Sequence, residues 1–211
     1  MRHLFVFANT QKPTEKNSKW WCAQKRPISA LLKYFDLIKY NFPSFLLVVD
    51  DDTFVNPFFL SKFLSKLDPS KSLYIGNTIG TDFTGGGGGY ILSRHILEKL
   101  ARDNASKVHQ CFKNQQGGKW CHYHSDWAIG QCIFDATGIR PINSNSFEQF
   151  SILYSDGPKY PHPSKFHRPN IGDDICPQNL MTCHPFNAKM QQHSLNILGR
   201  YYNTLIDPFM Y

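Results

Sequence analysis

An apolar run, Phe45-Leu46-Leu47-Val48-Val49, stops abruptly at Asp50-Asp51-Asp52 and resumes with Thr53-Phe54-Val55. A short apolar run bounded by charge reads as a buried strand. Three adjacent carboxylates at the end of such a strand repel one another and lose hydration, so they need a compensating cation. Hard oxygen ligands suit Mg²⁺ or Mn²⁺, which bind through one or two carboxylates plus substrate phosphates instead of a closed protein cage. The motif therefore points to a phosphate-bearing ligand. The plainer alternative is a solvated turn in which the aspartates only stop the strand, and the apolar residues on both sides argue against it.

A chain of 211 residues can bury a real core and reads as a single domain over 1–211. The net charge of +7 suits an anionic partner, such as an acidic surface or a nucleotide-sugar. The lysines and arginines are scattered, not packed into one run, so nucleic acid is not expected as a partner. The longest clean apolar run is about five residues, far short of the roughly 18 of a membrane span. The opening Met1 to Ala8 is too short for a signal peptide. Six cysteines and the acceptor triplet Asn104-Ala105-Ser106 fit a secretory lumen.

Leu4 to Ala8 reads as a short strand. From Pro27 to Asn41 the apolar residues Ile28, Leu31, Leu32, Phe35 and Ile38 recur at three- and four-residue spacings, which predicts an amphipathic helix with Pro27 at its start and Pro43 past its end. Similar patterns predict helices over Pro57–Leu67, Arg94–Ala101 and Trp127–Phe134, and strands over Phe45–Val49, Leu73–Gly76 and Ile139–Ile142. Met181 to Pro185 reads as a last short strand before a helix around 188–198, and the Pro-, His- and Tyr-rich tract 154–169 as a long loop. Alternating helices and strands predict an α/β layer architecture with a mainly parallel sheet. Ligands of such sheets lie at the carboxyl ends of the strands, where the three aspartates fall.

Gly85 to Gly89 is an uninterrupted glycine run that leads directly into Tyr90-Ile91-Leu92. Glycines let a backbone approach a ligand closely and take positive φ. A floppy insert is the alternative, and the continuity with an apolar strand argues against it. No Gly-Lys-Ser/Thr follows, so this is not a P-loop.

Four segments in order resemble the fringe-like family of β1,3-glycosyltransferases. They are Val49-Asp50-Asp51-Asp52-Thr53-Phe54-Val55, Leu73-Tyr74-Ile75-Gly76, Gly86-Gly87-Gly88-Gly89-Tyr90-Ile91-Leu92-Ser93 and Ser125-Asp126-Trp127-Ala128-Ile129-Gly130-Gln131-Cys132. Gly88 stands where the family carries alanine, and Ser125 replaces its usual acidic residue. The resemblance runs from about Trp20 to His184, and within the family it is nearest the core 1 β1,3-galactosyltransferase branch.

The resemblance implies a nucleotide-sugar-binding α/β sandwich of GT-A type, a UDP-sugar donor, a glycoprotein or glycan acceptor and Mn²⁺ as cofactor. It also implies a Golgi setting with a membrane anchor and a first strand–helix unit gripping the uridine, and on this reading the chain starts too late for both. Matched position by position, it gives Asp50, Asp52 and His184 to the metal, and Asp51, Gly86, Gly87 and Gly89 to the donor. His184 falls in Met181-Thr182-Cys183-His184, similar to the family's last metal-site strand.

Inverting transfer needs the leaving diphosphate neutralised on one face of the sugar and a base on the other. The resemblance places that base at Asp126; a helix cap is the competing role for Ser125 and Asp126. Trp120, Tyr123 and Trp127 flank Asp126 and could stack on an acceptor sugar or serve as packing. A zinc site from Cys111, Cys121, His122, His124 and Cys132 is a rival, but Cys-x₂-Cys spacing is absent and the resemblance favours disulfides. The expected activity is galactose transfer to O-linked N-acetylgalactosamine. The alternatives are a fringe-type N-acetylglucosaminyl transfer to O-fucose and an inactive sugar-binding scaffold.

Overall fold

A computed structural model describes residues 25–38, 41–50, 53–116, 125–149 and 181–184. The expected strand at 4–8, the tract 154–169, the helix around 188–198, Asp51, Asp52, Trp120, Tyr123 and the zinc candidates Cys121, His122 and His124 lie outside them.

In chain order the elements are α1 (Lys25–Ile38), β1 (Phe45–Val48), β2 (Phe54–Val55), α2 (Pro57–Leu64), β3 (Tyr74–Gly76), β4 (Thr78–Ile79), β5 (Phe83–Thr84), β6 (Tyr90–Ser93), α3 (Arg94–Glu98), a π-helical turn (Lys99–Asp103), α4 (Ala105–Gln116), α5 (Ser125–Thr137), β7 (Ile142–Asn143), β8 (Phe147–Gln149) and β9 (Thr182–His184). Helix α2 starts at Pro57, as expected, and the structure adds a cap: the Asn56 side chain accepts from the amides of Phe58 and Phe59 at 3.2 and 3.4 Å. It stops at Leu64, short of the predicted Leu67. There the amides of Lys66 and Leu67 bond three residues back, to Phe63 and Leu64, and tighten the chain out of the helix.

The central sheet has the order β1-β6-β3-β7. Strand β6 runs antiparallel to both neighbours, with Val48 and Gly76 opposite Tyr90, while β3 and β7 are parallel. This corrects the expected mainly parallel sheet. Three strands do share one direction, but the chain returns through the glycine run and inserts β6 between β1 and β3 against them. Helix–strand alternation reports crossovers and is blind to a strand inserted by such a return.

Alternation along the strands divides the core between the two faces. Tyr74, Tyr90 and Leu92, with Leu46 and Val48, pack against Ile28 and Leu31 of α1, Ile96 and Leu97 of α3, Val108 of α4 and Ile129 and Ile133 of α5. Ile75 and Ile91, with Phe45 and Leu47, face the other way onto Phe59, Leu60 and Phe63 of α2, and onto Phe147 and Met181. A sheet covered on both sides explains why Tyr90-Ile91-Leu92 is continuously apolar. A Cys111–Cys132 disulfide joins α4 to α5, with Cα atoms 5.7 Å apart. It takes two ligands from the zinc alternative. A second sheet, β2-β9-β8, and the β4–β5 hairpin lie beside the end of the central sheet where the glycines enter.

Candidate active site

The glycine run links the end of β5 to the start of β6, and its last member is sterically required. Gly89 has φ +82°, and a Cβ there would lie 2.6 Å from both the Val48 carbonyl oxygen and Val49 Cγ1. Only glycine fits a positive φ at so close an approach. The run is therefore built into the fold, as its continuity with β6 predicts. The Gly89 amide also donates to the Gly86 carbonyl at 3.0 Å, and the Gly85 amide to the Asn77 carbonyl at 2.8 Å.

Three side chains close on the same run. The Asp126 carboxylate accepts from the Gly86 amide at 3.1 Å. The Thr53 hydroxyl donates to the Gly87 carbonyl at 2.7 Å. The Thr182 hydroxyl, fully buried, donates to the Gly88 carbonyl.

Asp126 is the second residue of α5 and half-buried, inside the first turn and not at its boundary. Its bond to Gly86 leaves the helix. Trp127 follows it, also half-buried. Helix α5 comes close because Gly130, one turn on, leaves room for the hairpin: a Cβ at Gly130 would lie 2.5 Å from Phe83 Cβ.

Two buried tyrosines form a floor beneath. Their rings meet edge to face at 5.5 Å between centroids. The Tyr74 hydroxyl pairs with the Thr84 hydroxyl at 2.9 Å. Burial pushes the Tyr74 phenol up to about 12, helped by the Asp126 charge and opposed by the hydrogen bonds of Thr84. Burial likewise pushes Tyr90 well above the ordinary phenol value, and Tyr74, Asp50 and Asp126 add to it. Asp50 and Asp126 thus both lie within electrostatic reach of one phenol.

Strands β2 and β9 bring the remaining candidates toward this corner. They pair antiparallel, with Phe54 opposite Cys183 and Val55 opposite Thr182. The carboxyl end of β9, at His184, therefore lies beside the amino end of β2, where the aspartate triplet ends. Asp50 is exposed just past β1, and its carbonyl accepts from the Thr53 amide at 3.2 Å.

The sequence profile of the family described as Fringe-like matches residues 8–156, well over half of the chain. The chain belongs to the Fringe-like family. It is 28% identical over 150 residues to a mouse protein named beta-1,3-glucosyltransferase, an alignment covering 66% of this chain and 28% of that protein. It is 26% identical over 184 residues to human chondroitin sulfate synthase 3, covering 78% of this chain and 19% of that protein, and the mouse synthase aligns equally well. The chain therefore spans from about a fifth to just over a quarter of the length of these relatives.

The metal assigned to this Fringe-like chain from its sequence is tested by the donors of one corner. Asp50 stands exposed at the strand end, the triplet continues from it, and β9 carries the His184 backbone alongside. Carboxylates with one imidazole are, as residue types, a donor set suited to Mn²⁺. Among the described residues no group of three or more His, Cys, Asp and Glu is gathered closely enough to hold a metal. The side chains of Asp51, Asp52 and His184 lie outside that description. No helix among the described residues is long and apolar enough to cross a membrane.

Sequence reasoning missed Thr53, Thr182 and Phe83. Both threonines sit inside motifs whose charged members dominate the reading. A β-branched hydroxyl next to a ligand cluster was the available signal. Phe83 carried none, because its importance comes from a glycine 47 positions away on another element.

Proposed function

We propose that this chain carries a metal- and UDP-sugar-dependent β1,3-glycosyltransferase site that transfers a hexose, with inversion, to a glycan or glycoprotein acceptor. The observation that carries the reading is the convergence on one glycine run: Asp126 at Gly86, Thr53 at Gly87 and Thr182 at Gly88 join the family's base, metal and donor segments.

In this mechanism Asp50, Asp52 and His184 hold Mn²⁺, which when bound supplies positive charge to the leaving diphosphate. The open backbone of Gly86, Gly87 and Gly89 admits the donor closely, with Asp51 beside it. The Asp126 carboxylate takes the proton from the acceptor hydroxyl as it attacks the anomeric carbon. The Gly86 amide orients that carboxylate. Trp120, Tyr123 and Trp127 offer aromatic faces to the acceptor sugar. The setting is the lumen of the secretory pathway, in keeping with the Cys111–Cys132 disulfide.

Galactose moving to O-linked N-acetylgalactosamine is the specific reaction favoured by Asp52-Thr53-Phe54-Val55, by Tyr90-Ile91-Leu92-Ser93 and by the His184 ending. Glucose is the second reading, favoured by the 28% identity to a protein named beta-1,3-glucosyltransferase. Incubating the full chain with UDP-galactose, UDP-glucose and their N-acetyl forms, against a panel of sugar acceptors with Mn²⁺ or chelator, separates them. Chelator-sensitive transfer from UDP-galactose to N-acetylgalactosamine is the expected result. Transfer from UDP-glucose alone moves the assignment to the second reading. UDP binding with no transfer to any acceptor replaces both with a sugar-binding protein.

A further inference from the structure

Polyglycine is ordinarily the least ordered of sequences, yet the run here carries a hydrogen bond at nearly every peptide unit. The Gly85 and Gly89 amides are held by backbone carbonyls. The Gly86 amide is held by Asp126, and the carbonyls of Gly87 and Gly88 by Thr53 and Thr182. The two hydroxyls come from the two strands of one pair, since Thr53 immediately precedes β2 and Thr182 opens β9. That antiparallel pair brings the end of the aspartate triplet and His184 to the same edge. The carboxylate of Asp126 comes from the opposite side, on α5.

We infer that Thr53 and Thr182 are positioning residues. Through the Gly86–Gly88 backbone their hydroxyls fix the metal-side strands at a set distance from the Asp126 carboxylate. The inference rests on the proposed function for what that distance serves, but the coupling itself is a property of the backbone. Threonine suits this role, because its β-branched body packs like valine in a strand while its hydroxyl reaches a neighbouring carbonyl. Thr182 is fully buried, so its hydroxyl and the Gly88 carbonyl have no exposed route to bulk solvent and hold each other. Without these bonds the glycines regain freedom, and a misplacement on the order of 1 Å at a reacting group can cost about a hundredfold in rate.

The test compares Thr182→Val, which keeps the shape and deletes the hydroxyl, with Thr182→Ser, which keeps the hydroxyl. Thr53→Val and Thr53→Ser form a second pair at a half-buried position, and they decide the matter if Thr182→Val does not fold. Two readouts are taken on the full chain: NMR amide exchange at Gly86, and steady-state transfer with the best donor and Mn²⁺. The valine variants are expected to speed Gly86 exchange and to lower kcat about tenfold to a hundredfold, with the KM for donor unchanged and the serine variants near wild type. Unchanged Gly86 protection in the valine variants overturns the coupling, whatever the activity. Equal loss of protection in the serine variants overturns it too, because the hydroxyl is then not the cause. A wild-type chain that transfers no sugar defeats the proposed function instead, and the exchange data still judge the coupling.

Discussion

The two ends of the glycine run are held by different physics. Gly89 is fixed by excluded volume, with a positive φ and no space for a Cβ against Val48 and Val49. Gly86 to Gly88 are fixed by polar bonds from Asp126, Thr53 and Thr182. A Cβ at Gly86 would meet Asp126 at 3.4 Å, close to ordinary contact, so sterics alone do not dictate glycine there. One end belongs to the core and fails by unfolding. The other belongs to the site on the proposed function, and it is expected to fail by losing alignment.

The sharpest break of that contrast is Asp126→Asn. Asparagine retains an oxygen for the Gly86 amide and similar bulk, but it cannot take a proton from an acceptor hydroxyl. Transfer should fall by roughly two to four orders of magnitude, the range for removal of a general base, with the melting temperature nearly unchanged. Turnover within a few-fold of wild type would reduce Asp126 to a bracket for the glycine run.

The mirror experiment is Gly89→Ala. A left-handed conformation for a residue with a Cβ, added to overpacking against a backbone carbonyl, should cost about 2–5 kcal/mol. Urea unfolding measures it. A loss below about 1 kcal/mol would place Gly89 with the compliant end of the run.

Alkali probes the floor below the rigid end more gently. Tyr74 has a folded-state pKa raised to about 12 from an ordinary 10.0, so its contribution is fully present below pH 10 and drains away as pH rises toward 12. A rise of that size in a buried phenol is worth at most roughly 3 kcal/mol. Tyr90, raised well above the ordinary phenol value chiefly by its burial, adds a loss in the same direction. Stability measured from pH 8 upward should be level and then decline through this window. Tyr74→Phe should flatten the decline, and an unaltered slope would show that other groups govern the alkaline limit.

Much of the scaffold was legible because it is written in local pattern. The Phe45–Val49 run, the Ile28-Leu31 spacing and the apolar pattern after Pro57 each announce an element within one or two turns of chain. The glycine run was readable as part of the fold from its continuity with Tyr90. The placement of β6 was not, because period and composition are the same for a strand entering from either direction. At the site, the aspartate triplet stood out by chemistry and Asp126 by the family resemblance, and the Asp126 carboxylate does accept from the Gly86 amide. Thr53 and Thr182 offered only a hydroxyl beside a ligand cluster, and a hydroxyl bonded to a carbonyl leaves no trace in spacing. Phe83 and Gly130 were invisible for a related reason: what matters is a missing atom on one side of their contact.

The bonds that close on the glycine run span 34, 40 and 94 residues of sequence. Closing a longer loop costs more chain entropy, and going from 34 to 94 residues adds about 0.9 kcal/mol. The helices and the β3–β6 pairing, made of nearer neighbours, have the advantage in forming first. The bond from Thr182 to Gly88 closes the longest of these loops. During refolding the site is therefore expected to arrive late, with the native secondary structure and the buried tyrosines preceding the alignment of Asp126 with the strands that carry Thr53 and Thr182.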